Sequence, residues 1–117
     1  MMISHDDLND YLVTHLPELR ADYEMMLVDW EDELPGPHVV YGNLLNRRLI
    51  SMLADPIDNG PSLRRIFAVL EDVASDGEPS ARYVVGATVC ERLSGAGMLQ
   101  QAREFMGPAT RELCRQM

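Results

Sequence analysis

Proline and glycine punctuate this chain so often that no regular element can run longer than about five helical turns. The breaks fall at Pro17, at Pro35-Gly36-Pro37, from Asp55 to Pro61, from Asp76 to Ser80, from Ser94 to Gly97 and at Gly107-Pro108. Proline ends a backbone ladder because it has no N–H, and glycine frees the turn that follows. Between the breaks, apolar residues recur at helical spacing. Leu8, Tyr11, Leu12 and Leu16 mark a first helix to about His15, opened by Ser4 as amide cap with Asp6 and Asp7 in its positive first turn. Pro17 then begins a second helix carrying Leu19, Tyr23, Met26, Leu27, Trp30 and Leu34 on one stripe. A third helix bears Tyr41, Leu44, Leu45, Leu49, Met52 and Leu53, with an extended start open at Val39-Val40-Tyr41. The fourth bears Leu63, Ile66, Phe67, Leu70, Val73 and Ala74. In the fifth, running to about Leu93, Tyr83, Gly86, Ala87 and Cys90 suit a closely packed face. Val84-Val85 and Val89 admit a strand there, but the Cys-Glu-Arg-Leu ending favours helix. A short helix over 98–106 and a last one to the terminus complete the series.

At 117 residues the chain suffices for one core and not for two. Aromatics make up only 6% of it while methionine occurs eight times, a balance that suits helix packing better than a sheet sandwich. The expected fold is therefore all-α: a single compact domain over 1–117 of about six or seven antiparallel helices. Within it an acidic helical segment, 1–34, packs on a helical body, 38–117, whose second half has a stacked-helix (HEAT-like) rhythm. No stretch is apolar enough to span a membrane, and Met1 to Leu8 lacks the basic-then-apolar pattern of a signal peptide, so a cytoplasmic location is expected.

Charge divides the chain sharply. Residues 1–34 hold ten carboxylates against one base, Arg20, while residues 35–117 hold nine carboxylates and nine arginines. The whole net charge of −9 thus belongs to the first third, and lysine is absent. Such a balance disfavours nucleic acid and anionic membrane as partners. Projected at about 100° per residue from Glu18, the apolar stripe of the second helix spans roughly 80° to 180°. Glu18, Asp22, Asp29, Asp32 and Glu33 gather between roughly −40° and +60°, with Met25 in their midst. An ordinary solvated face would pair such acids with bases four residues away, but here like charges adjoin at a cost of a few tenths of a kcal/mol each. Asp29, Glu31, Asp32 and Glu33 also crowd the C-terminal turn, where the helix dipole opposes them. A face that keeps these costs has a use for its field, which points to a binding surface.

Catalytic and metal signatures are missing from the sequence. His5, His15 and His38 form no i, i+4 pair, and there is no Glu-x-x-His. Asp22 and Asp29-x-x-Asp32 lie within reach of one divalent ion, but neither an EF-hand-type loop nor a histidine completes the set. Cys90 and Cys114 are too few for a disulfide framework or a four-cysteine zinc site, and both suit inert core positions. Ser94-Gly95-Ala96-Gly97 lacks the strand and the lysine of a phosphate loop, and no Gly-x-Ser-x-Gly elbow occurs. The expectation is a protein that is not an enzyme and needs no metal, cofactor or small-molecule substrate.

The stretch Pro37-His38-Val39-Val40-Tyr41-Gly42-Asn43-Leu44-Leu45-Asn46, and again Phe105-Met106-Gly107-Pro108-Ala109-Thr110-Arg111, resembles a family of small uncharacterised bacterial helical proteins. Pro17-Glu18-Leu19 and the helix from Leu63 to Ala74 fit the same pattern. Members look like the single-domain immunity partners of bacterial toxins, which implies a helical fold and a bacterial origin. The resemblance brings no catalytic residue with it.

Together these lines give a leading expectation: an immunity or antitoxin-type protein that occludes a basic toxin domain, such as a nuclease, through its acidic face. Glu18, Asp22, Asp29, Asp32 and Glu33 would meet the partner's cations, Met25 would supply an adaptable anchor, and His38 and Tyr41 would add contacts from the adjoining loop. The alternative is a helical adaptor or regulatory module that binds a protein in an apolar groove between helices.

Overall fold

The computed structural model of the protein describes residues 2–30 and 34–115. Among these residues the chain forms seven helices and no strand. They are α1 (Leu8–His15), α2 (Arg20–Trp30), α3 (37–53), α4 (Gly60–Asp76), α5 (79–95), α6 (Leu99–Arg103) and α7 (Pro108–Arg115). Short 3-10 turns, His5–Asp7 and Pro17–Leu19, lead into α1 and α2. Proline sits in the first turn of the Pro17 lead-in and of α3, α4 and α5, where its missing N–H costs nothing. Ser4 departs from the expected amide cap: its hydroxyl donates to Asp7 Oδ2 at 2.8 Å. Helix α3 is helical from Pro37, so the Val39-Val40-Tyr41 stretch has no extended start.

The core is built around α4, which buries Leu63, Ile66, Phe67, Leu70 and Val73. Helices α3, α5 and α7 pack against it. Helix α1 is docked, with Leu8, Leu12 and Leu16 fully enclosed. The Tyr41 hydroxyl on α3 donates to the Leu8 carbonyl at 2.8 Å, a buried bond that ties α1 to the body. Ahead of α1, the Ile3 N–H donates to Asp76 O and the Glu78 N–H donates to Ile3 O, which pins the chain start to the end of α4.

Two tertiary devices hold α7. Glu71 on α4 accepts from the backbone N–H groups of Ala109 and Thr110 at 3.0 and 2.9 Å, and from the Thr110 hydroxyl at 2.8 Å. A carboxylate from another helix thus caps the positive end of α7. Gly107 makes room for it, since a Cβ there would collide with the Glu71 carboxylate. The second device corrects the reading of two inert thiols: Cys90 on α5 and Cys114 on α7 form a disulfide, with Cα atoms 5.2 Å apart.

The middles of α3 and α5, Val40–Leu45 and Val84–Cys90, are π-helical. These two segments pack on each other. Gly42 permits the crossing, because a Cβ there would lie 2.9 Å from Arg92 Cζ and 3.0 Å from Thr88 Cγ2. No helix among the described residues is long and apolar enough to cross a membrane.

Candidate functional site

Helix α2 buries none of its side chains, although apolar residues recur along it at helical spacing. The stripe packs only at its start: Leu19 is buried, Tyr23 and Met26 are half-buried, and Trp30 and Leu34 remain 38% and 80% exposed. On the opposite face Met25 and Val28, one turn apart, are 68% and 75% exposed. Four large apolar side chains at and beyond one helix therefore stand in water beside carboxylates. Single exposed apolar residues are commonplace; here two lie one turn apart on one face and two more at the far end of the other.

The carboxylates are not all free. Glu18 meets Arg65 of α4 at 3.2 Å, and Asp22 meets Arg48 of α3 at 3.6 Å. Both cations come from more than twenty residues away, so pairing four apart on the helix could not reveal them. Among the described residues, Glu24 and Asp29 have no cation within ion-pair distance. These two acids of α2 stand outside any ion pair among the described residues, with Arg20 one turn before Glu24 on the same helix and Arg47 lining the same groove as Asp29.

Between α2 and α3 lies an open groove of about 390 Å³, lined by Asp22, Met25, Met26, Asp29 and Trp30 from α2 and by Asn43, Leu44 and Arg47 from α3. It brings together three of the residues singled out from the sequence, Asp22, Met25 and Asp29. Glu18 lies one turn earlier, tied to Arg65. Asp32 and Glu33 fall outside the described residues. Tyr41 is not on this surface: it is fully buried, its hydroxyl spent on Leu8. Burial pushes its phenol pKa up, which agrees with a core role. His38 faces a different pocket, where Nδ1 is hydrogen-bonded to the Thr88 hydroxyl.

Local spacing gives no sign of Val28, Leu44 or Arg47 as surface residues, and it places Trp30 on the apolar stripe. The stripe gave Trp30 a core-facing angle, but nothing in the local spacing says how far along α2 its neighbours extend. Among the described residues no group of three or more His, Cys, Asp or Glu is placed to hold a metal ion. The groove offers contact, charge and shape, with no nucleophile–base pair.

No curated protein and no solved structure matches the chain. A family model does match, over residues 9–117, and by that coverage the chain belongs to the family of the domain of unknown function DUF7674.

Proposed function

We propose that the protein is a non-catalytic binding protein that holds a basic protein domain against α2, as an immunity protein occludes a toxin such as a nuclease. The observation that carries this reading is the exposed Met25–Val28 ridge beside Glu24 and Asp29, neither in an ion pair among the described residues, on a helix with no fully buried side chain. An apolar ridge supplies area removed from water, and the surrounding charge steers a cationic partner and rejects acidic ones. The residues proposed to make contact are Asp22, Met25, Asp29 and Trp30, with Asp32 and Glu33 continuing the acidic run. The resemblance to bacterial immunity partners supports the inhibitor role and a bacterial origin, and a cytoplasmic setting is proposed with it.

The test is co-purification with the tagged protein from its own host at low salt, followed by a rising salt wash. A stoichiometric basic partner that leaves steeply with salt and is lost on Met25→Arg with Asp29→Arg is the expected result. Retention of that partner by the double variant overturns the proposal. A second reading, a helical adaptor, draws on the half-buried Met26 and Leu44 in the floor of the same groove. It expects a partner that resists salt and is lost on Leu44→Asp instead.

A further inference from the structure

The crossing of the two π-helical segments carries a second site, separate from the α2 groove. Helical backbone of π type is rare in soluble proteins and gathers at functional sites. Here two such segments meet, and beside their crossing lies an open pocket of about 540 Å³ lined by His38, Thr88, Glu91 and Arg92. Its cationic group is held in place before any ligand arrives. Arg92 Nη1 donates to the Gly42 carbonyl at 3.0 Å and to Asn43 Oδ1 at 2.7 Å. The guanidinium lies so close over Gly42 that any larger residue there would displace it.

A guanidinium has five N–H donors, and these two bonds use both hydrogens of Nη1. The Nε–Nη2 edge, the fork that matches a carboxylate or phosphate with two parallel bonds, has no partner among the described residues. His38 is also constrained, by the Thr88 hydroxyl at Nδ1 and by the rings of Tyr83 and His5 at 5.9 and 6.2 Å. In the tautomer whose Nδ1 accepts from the Thr88 hydroxyl, the ring proton is on Nε2, which then offers a second donor. Deeper in the crossing, Asn46 is buried and its Oδ1 has no partner, while its Nδ2 makes long bonds of 3.4 Å to the Thr88 and Val89 carbonyls of the π segment.

We infer that the pocket is an oxyanion site, taking a phosphate or carboxylate group on the Nε–Nη2 edge of Arg92 with His38 as the second donor. Glu91 is the opposing charge and sets the affinity: it weakens a bare anion. The inference does not rest on the function proposed for α2, because none of the residues lining this pocket lines that groove.

The experiment is an NMR titration of the full chain with inorganic phosphate and, separately, with acetate, reading the Arg92 Nε–H and His38 ring resonances. Sodium chloride at matched ionic strength is the control. Saturable shifts at both residues are expected, and the preferred probe tells a phosphoryl source from a carboxylate one. Arg92→Gln should weaken binding about tenfold or more, the loss expected for a charge-assisted bidentate pair. Arg92→Lys, which keeps the charge but not the fork, should fall between, and Glu91→Gln should bind several-fold more tightly. Asp29→Arg should change nothing here. Shifts that fail to saturate, that chloride reproduces, or that survive Arg92→Gln in a folded variant overturn the inference.

Discussion

Tyr11 shows how one side chain on the edge of the core sets a pH limit. Its hydroxyl donates to Asp72 Oδ2 at 2.9 Å, and its ring packs on His15 at 4.1 Å. Burial first, then the Asp72 bond and the charges of Asp72 and Asp76, push its pKa from 10.0 up to about 12. The folded state therefore holds this proton more tightly than the unfolded chain does. Its contribution is complete below about 10 and is lost as pH rises toward about 12. Denaturant unfolding measured across that window should show a steady loss of stability, and Tyr11→Phe should lessen its slope, the remainder coming from the buried Tyr41, whose pKa is raised as well. Glu71 is the other residue whose role is sharp. Glu71→Ala removes the cap of α7 and should cost about 1–2 kcal/mol in unfolding free energy. Gly107→Ala should cost a comparable amount by evicting the same carboxylate, and the two losses should not add when combined.

At the scale of elements, α2 is the informative one because stability and the proposed function would pull its residues in opposite directions. Asp29 lies in the last turn of its described span, where the dipole opposes a negative charge. Asp29→Arg should leave thermal stability unchanged or raise it by about 0.3–1 kcal/mol, read by calorimetry. The same substitution, joined to Met25→Arg, is the one expected to abolish partner binding. A change that helps the fold and removes the interaction separates a working surface from an ordinary solvated one. Helices α3 and α5 present the other case. Pro37 and Pro79 open them, a start legible in the chain, whereas their π-helical middles meet where Gly42 lies against Arg92 and Thr88.

For the whole molecule, the Cys90–Cys114 bond closes a loop across 24 residues between α5 and α7. A bond of this span should contribute about 3 kcal/mol by restricting the unfolded chain. Cys114→Ser should lower stability by that order in chemical denaturation, and wild-type protein unfolded under reductant should fall to the same level. The bond also bears on the proposed cytoplasmic setting, because disulfides persist mainly in oxidising compartments. Trapping the cysteines in cells with an alkylating agent distinguishes the two: thiols fit the cytoplasm, and a preserved disulfide argues for an oxidising environment.

Much of this architecture is legible along the chain. Helix breaks, the all-α class and the apolar faces of α1 and α4 follow from local sterics and from the period of the side chains, which a short window contains. The acidic excess of residues 1–34 is likewise countable, and it covers both the docked α1 and the lightly packed α2. Other features depend on which distant residues meet. Local spacing offers no way to know that Arg48 and Arg65 would reach Asp22 and Glu18, that Tyr41 would turn inward to Leu8, or that Cys90 would find Cys114. Nor could it place His38 beside Thr88 and Arg92 rather than beside α2. The division has one physical cause. Backbone sterics and hydrophobic period act over a few residues, whereas ion pairs, buried hydroxyl bonds and disulfides depend on positions that exist only once the helices have packed.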